Sequence, residues 1–193
     1  MNKIKKLILL MYIMLLAGPL SAIDIDFESI TYDVELRTAA FFPIARRYKE
    51  IYGDVGPSVQ IEVGARFDCP YEAWINLDWV YGEKHSRYTR TTSNLFNVSF
   101  GLKYIYLLSE KCSLSVGFGP TFGGIFLRNH SISYSRNPSR FVAGGVLKSS
   151  AKYKFCSGLF VDAFLDYMCE PVCYGTMVDI GGFRLGLGLG YSF

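Results

Sequence analysis

The sequence predicts an all-β fold: a closed, antiparallel, eight-stranded up-and-down transmembrane barrel. Three observations predict it. About eight segments of some ten residues alternate apolar with polar side chains, their connections are alternately short and long, and aromatic residues gather at both ends of the apolar faces. Composition agrees, since half of the 193 residues are apolar and 16% aromatic while only 19% are charged, which is little charge for a water-soluble domain. No linker or low-complexity tract divides the chain, so one domain is expected.

The first segment stands apart. Lys3, Lys5 and Lys6 precede an uncharged apolar stretch from Leu7 to Ala17, followed by Gly18, Pro19 and a small-residue close at Ser21 and Ala22. That order is a secretion signal, residues 1–22, cleaved after Ala22 and leaving residues 23–193 as the barrel. The apolar stretch is well short of the roughly 20 residues a spanning helix needs. No cysteine follows the cut, which argues against a lipoprotein. Removing the signal takes three of the twenty basic residues and none of the seventeen acidic ones, so the mature chain is formally neutral. Net charge therefore gives no reason to expect a nucleic-acid partner.

The strands follow in order. Tyr32, Val34, Leu36, Thr38, Ala40 and Phe42 form one face of the first, against Asp33, Glu35 and Arg37 on the other. The apolar faces of the next three are Val59 to Phe67, Ala73 to Tyr81 and Phe96 to Tyr106, each taken at every second residue. Leu114, Val116, Phe118, Pro120 and Phe122 make the fifth; Leu147, Ala151 and Tyr153 a weaker sixth; Leu159 to Tyr167 the seventh; and Phe183 to Phe193 the eighth. About ten residues is the length that carries a tilted strand across a bilayer.

The connections separate this reading from a soluble sandwich. Links are short at Asp68–Tyr71, Leu107–Cys112 and Lys154–Gly158, and long at Pro43–Pro57, Gly82–Asn94, Leu127–Gly144 and Met168–Asp179. Short turns on one side and long loops on the other are the periplasmic and extracellular ends of an outer-membrane barrel. Tracing strand direction sorts the outward aromatics to two levels. Tyr32, Phe67, Tyr104, Tyr106, Tyr153, Tyr191 and Phe193 fall at the periplasmic level, and Phe42, Trp79, Tyr81, Phe96, Phe122, Tyr167 and Phe183 at the outer one.

The ending, leucine alternating with glycine and then Tyr191, Ser192 and Phe193, resembles the recognition signal of bacterial outer-membrane barrels. With the signal and the amphipathic strands, the chain from Tyr32 to Phe193 resembles the small eight-stranded OmpA/OmpX-type barrels. That resemblance implies outer-membrane localisation, a lipid and lipopolysaccharide environment, and the barrel-assembly machinery as a partner that reads Tyr191 and Phe193. It implies no cofactor and no particular activity.

The inward face is expected to hold Asp33, Glu35, Glu62, Glu72, Asp78, Asp162 and Asp166 against Arg37, Arg66, Lys103, Lys148, Lys152 and Arg184. An eight-stranded barrel has room for side chains and little else, so these charges should pair and fill the lumen. Inward glycines (Gly117, Gly119, Gly182, Gly186, Gly188, Gly190) leave room for the rings of Trp74, Phe160 and Phe164. A narrow channel or small-ligand transporter is the alternative this disfavours.

Chemistry is sparse. The two histidines, His85 and His130, lie in long loops near Ser86, Glu83, Ser131 and Ser133, and some barrels of this size are lipid A-modifying enzymes that use a histidine at the outer rim. Catalysis needs such a pair oriented by a third group, so solvated histidines and a non-enzymatic protein are favoured. No metal-ligand spacing appears. The stronger signal is a basic rim: Arg46, Arg47 and Lys49 in the first loop, Lys84, Arg87 and Arg90 in the second, Arg128, Arg136 and Arg140 in the third. Arginine forks match phosphate and sulfate, so the rim suits lipopolysaccharide or an anionic host surface ligand, a structural and adhesin-like role. Of five cysteines, Cys69, Cys112 and Cys156 fall at the periplasmic turns, where an unpaired thiol could link to another envelope protein. Cys169 and Cys173 share the last loop and could close a disulfide.

Overall fold

The computed structural model describes residues 30–67, 70–86, 89–131, 135–136, 139–155, 157–173 and 177–193. The expected signal, residues 1–22, lies outside them, as do Cys69, Arg87, Ser133 and Cys156. Among the described residues, strands and one short helix run in the order β1 (Thr31–Pro43), α1 (Arg46–Tyr52), β2 (Gly56–Arg66), β3 (Tyr71–Ser86), β4 (Thr89–Leu107), β5 (Cys112–Ser131), β6 (Ser135–Arg136), β7 (Ser139–Lys154), β8 (Leu159–Cys169), β9 (Pro171–Cys173), β10 (Met177–Asp179) and β11 (Gly182–Ser192).

Eight of the strands close a barrel. Each pairs antiparallel with the next in the circuit β1, β2, β3, β4, β5, β7, β8, β11, and β11 returns to β1 from Asp33 opposite Ser192 to Pro43 opposite Gly182. Closure leaves no sheet edge, which lipid would not tolerate because it offers nothing to hydrogen-bond an exposed amide. The alternation read from the sequence is the observed one. Leu36, Ile61, Leu77, Phe100, Leu165 and Leu187 point outward, while Glu35, Glu62, Asp78, Ser99, Asp166 and Arg184 are buried in the lumen. The weak sixth segment is β7, whose outward Ser149 donates its hydroxyl hydrogen bond to the carbonyl of Leu165 at 2.7 Å.

Both aromatic belts are present. At the periplasmic end Tyr71 meets Tyr104 at 5.6 Å between centroids and Tyr191 meets Phe193 at 5.0 Å. At the outer end Trp79 stacks on Phe96 at 6.3 Å and Tyr167 meets Phe183 at 5.0 Å. The last residue is pinned by its amide, which donates to the Tyr32 carbonyl at 2.8 Å.

The lower lumen is an ionic lattice centred on Arg37. Its guanidinium lies 3.3 Å from Glu35, 3.2 Å from Glu62, 3.0 Å from Asp162 and 3.5 Å from Asp166, joining the β1, β2 and β8 walls across the barrel. Lys103 bridges Glu62 and Glu72, and Lys148 bridges Glu62 at 2.5 Å and Asp166 at 3.7 Å. Nearer the periplasm Lys152 and Ser192 hold Asp33 at 2.8 and 2.6 Å. Rings floor the lattice: Arg37 lies 3.7 Å above the Phe164 ring and Lys148 4.6 Å from that of Trp74. Phe160 occupies the space left by Gly190, where an added Cβ would collide with the ring at Cζ. The expected pairing is thus observed, and so is the glycine-for-ring exchange at Gly190, whereas a Cβ at Gly117 or Gly188 would meet Lys103 or Glu35 instead of a ring.

The long links differ from expectation. The second is almost entirely ladder, with β3 reaching Ser86 and β4 starting at Thr89, and the third is largely extension of β5 and β7 with β6 between them. Alternation stops there because water lies on both faces, but backbone pairing continues. The first link carries α1, and the fourth carries a small hairpin of β9 and β10.

Removing one partner from a buried ion cluster strands the others, so Arg37→Met should lower the unfolding free energy by about 3–5 kcal/mol. Urea titration followed by heat-modifiable gel migration measures this, and a loss below about 1 kcal/mol contradicts the lattice as described.

Candidate functional site: a sealed mouth beneath two cation-bearing faces

Above the ionic lattice the lumen becomes apolar. Phe41, Val80, Leu95, Ile125, Leu127, Val142 and Met168 turn inward from the walls and meet Val172 of β9, Ile180, and Tyr48 of α1 in one buried cluster. Arg184 marks the boundary, 2.5 Å from Asp78 and 3.3 Å from the Met168 sulfur. Glu170 is tucked beside it, accepting a hydrogen bond from Thr121 at 3.1 Å. This cluster seals the outer end, and strict alternation does not predict it. A signal was present: alternation gives way to apolar residues on both faces in Ala40-Phe41-Phe42, Trp79-Val80-Tyr81 and Ile125-Phe126-Leu127.

A seven-residue helix has little stability of its own, so α1 depends on its anchors. Tyr48 is one, buried and sharing a 2.9 Å hydrogen bond with Ser93. The other is the last turn, where the Lys49 carbonyl accepts from the Gly53 amide and from Lys84 Nζ, both at 3.1 Å. A lysine on a terminal helical carbonyl satisfies an orphan acceptor at the negative end of the helix dipole.

Strands β3, β4, β5 and β7 run 16, 19, 20 and 16 residues, against 11 to 13 for the other four barrel strands, so they project beyond the outer belt. This projecting sheet has two faces, and it sorts the cations predicted as one rim into two groups. Register sets Lys84, Thr91, Asn129 and Arg136 opposite one another in one row, and Arg140 pairs with Ile125. Glu83, Thr92 and Arg128 make a second register row, and His85, Arg90, His130 and Ser135 a third. Arg128 and Arg140 are exposed. Arg46 is also exposed but pairs with Glu50 along α1 at 2.8 Å, and Arg47 lies in the same helix.

Three acids at this end, Glu50, Glu83 and Asp179, are occupied, and Asp54 is exposed. Glu83 accepts from the Tyr81 hydroxyl at 2.6 Å, and Asp179 accepts the amides of Glu170 and Gly181, each at 2.8 Å. Ser86 and Ser131 both pair with Thr89, one register position from the row of His85, Arg90 and His130. Cys112 begins β5 at the periplasmic turn and Cys169 ends β8, both as free thiols. Cys173 ends β9, and the loop disulfide that it could close with Cys169 is not shown among the described residues.

No protein-family profile and no curated protein matches the sequence. Solved structures match in shape. Neisserial surface protein A superposes with a TM-score of 0.60 over 84% of this chain and 97% of that one, at 14% identity. Ail, the attachment invasion locus protein of Yersinia pestis, gives 0.56 over 85% and 98%, also at 14% identity. A major outer membrane protein from Thermus thermophilus gives 0.57 over 86% and 100%, at 13% identity. Ail has also been solved in complex with the heparin analogue sucrose octasulfate. The chain has the fold of the small eight-stranded outer-membrane barrels of OmpA/OmpX type.

Gly53 closes α1 with φ at 102°, and a Cβ there would lie 3.1 Å from the Glu83 carbonyl oxygen. Gly53→Ala should therefore cost about 1–3 kcal/mol locally and loosen α1 from the mouth. Limited proteolysis of the folded barrel should show faster cutting between residues 44 and 56; unchanged cutting contradicts this anchoring.

Proposed function

We propose that this chain is an outer-membrane barrel without catalysis, whose mouth binds a polyanionic glycan at the cell surface while its body contributes to envelope integrity. Delivery would use a cleaved signal at residues 1–22, and insertion the assembly machinery acting on Tyr191 and Phe193.

The observation that carries the reading is the cation row over a sealed lumen. Lys84 and Arg136 share a register row and Arg140 is exposed on β7, at an end where the carboxylates Glu50, Glu83 and Asp179 are already engaged. Cations with engaged acids around them keep their charge for an outside anion, and sulfate or phosphate esters spaced along a polymer fit a row of forks. That a barrel of the same fold holds a polysulfate adds support.

Two rivals are weaker. A narrow channel would need a path through both the apolar seal and the ionic lattice. A lipid A-modifying enzyme would need a histidine paired with a carboxylate or hydroxyl and oriented by a third group; the register sets Arg90 opposite both His85 and His130 and Ser135 opposite His130, with no carboxylate in that row. The free thiol of Cys112 keeps a disulfide-linked envelope partner within the proposal, which non-reducing gels of intact envelopes read directly.

Binding of the folded protein to immobilised heparin tests the main reading. The double variant Arg136→Gln/Arg140→Gln should bind about tenfold more weakly at physiological salt, as expected for the loss of two charge-assisted contacts. Absence of wild-type binding, or a double variant that binds equally well, would overturn the glycan assignment.

A further inference from the structure

The link from β8 to β11 crosses the outer end of the lumen as the hairpin of β9 and β10. These two strands pair with each other and, among the described residues, form no ladder with the barrel circuit. The hairpin is seated instead by packing and by its base. Val172 of β9 and Ile180, just after β10, are buried in the apolar seal. At the base the Ile180 amide donates to the Glu170 carbonyl at 3.0 Å, and the Asp179 carboxylate accepts the amides of Glu170 and Gly181. The flanks are bare backbone: a Cβ at Gly144 of β7 would collide with the Cys169 carbonyl oxygen, and one at Gly181 with that of Met168. Glu170, the hinge residue, is fully buried beneath the seal. Thr121 donates to its Oε1 at 3.1 Å and Asn97 lies within hydrogen-bonding reach, but Oε2 is buried without a partner. The cation facing it is Arg184, whose guanidinium is already 2.5 Å from Asp78. Asp78 also accepts from Ser58 at 3.0 Å. Two carboxyls thus share one guanidinium, and a second buried negative charge there would go unmatched. Two changes remove that cost: a proton on Glu170, or movement of Glu170 into water. Because Glu170 is the hinge, moving it outward lifts the hairpin.

We propose that the hairpin of β9 and β10 is a proton-latched lid on the outer mouth, seated while Glu170 carries a proton and released from the seal when Glu170 ionises. Glu170 lies beyond the end of β8, past the outer-belt Tyr167, and burial pushes its carboxyl up to about 7 against the pull of Arg184. In a released hairpin the same carboxyl stands in water and titrates near about 4.3. The seated state therefore binds the proton more tightly. Seating is most favoured below about pH 4.3, weakens as pH rises towards about 7, and loses nothing more above that.

Other groups packed around the hinge do not supply this switch. Arg184 of β11 stays charged throughout, and Asp78 of β3 is its direct partner. Asn97 of β4 and Thr121 of β5 do not titrate, and β7 presents glycine at Gly144. Asp166 of β8 also faces Arg184 but is held by Arg37 and Lys148. Within the hinge Asp179 is engaged by backbone amides, and burial together with Asp179 pushes the Cys169 thiol above its ordinary range, so it stays neutral through this window. From α1 the seal receives Tyr48, while Arg46 and Glu50 pair with each other in solvent. With the lid released, the Arg37 lattice still fills the lumen below, so release uncovers the apolar cup without opening a channel. The lid does not rest on the proposed glycan binding.

Limited digestion of the folded barrel in detergent micelles by a protease of broad specificity, at about pH 5 and about pH 8, reads the lid directly. Protease activity and histidine charge also change over that range, so the informative quantity is the cutting rate of wild type relative to Glu170→Gln at the same pH. Heat-modifiable migration verifies the fold of each protein. Glu170→Gln keeps the shape of the protonated acid and cannot ionise, so its lid should stay seated at both pH values. For cuts within residues 170–181 the ratio of wild type to variant should rise about tenfold or more from the lower pH to the higher. Asp78→Asn leaves Arg184 to Glu170 alone, and should protect the hairpin at the higher pH to the level of Glu170→Gln; a merely structural role for Asp78 would speed cutting instead. The proposal is overturned if the ratio is the same at both pH values, if the added cutting falls outside residues 170–181, or if Asp78→Asn is cut at least as fast as wild type at the higher pH.

Discussion

The pairing of β1 with β11 is the constraint on which the rest depends. A sheet that crosses hydrocarbon cannot leave an edge, because each unpaired amide or carbonyl would be stranded without water. Closing the circuit with eight strands fixes a narrow interior and gives every strand one lipid face and one inner face. The sequence must then put its charges inside, and charges inside so small a space must pair. The four carboxylates around Arg37 are the consequence of closure rather than an independent source of stability, since buried ion pairs return little beyond their own desolvation cost. What they contribute is a filled lumen.

The lipid-facing half of this logic was legible in the sequence. Period-two alternation named the outward residues and, by complement, the inward charges. The inward glycines opposite large rings were legible too, and Gly190 beside Phe160 is the clearest instance. The outer third was not legible in the same way. There the strands leave the bilayer, so a period-two pattern no longer separates lipid from lumen, and residues such as Thr89 to Ser93 continue a ladder that reads as loop. The seal was missed for a related reason. Phe41, Val80 and Leu95 sit at inward positions where polar residues were expected, and adjacent outward aromatics hid them within short apolar runs. Glu170 was missed because it falls beyond the end of β8, where no periodicity assigns it a face.

The basic rim shows what residue counting cannot supply. Cations spread over three loops read as one patch, but register divides them between a mouth face and an outward face that meet different surroundings. Lys84 is further drawn into structure by holding the end of α1. His85 and His130, unremarkable as separate loop residues, acquire a common neighbour in Arg90 only through the pairing of three strands. With the lumen filled below and sealed above, the proposed binding falls on the outer surfaces.

The interior is closed along its length, by apolar packing near the surface and by ion pairing below it. Planar-bilayer recording of the mature barrel tests this most directly, with heat-modifiable migration establishing that the protein in the bilayer is folded. A closed interior predicts a silent membrane, with no discrete current steps attributable to the folded protein. Steady stepwise openings would contradict it, because they require a continuous aqueous path through both the Tyr48 seal and the Arg37 lattice.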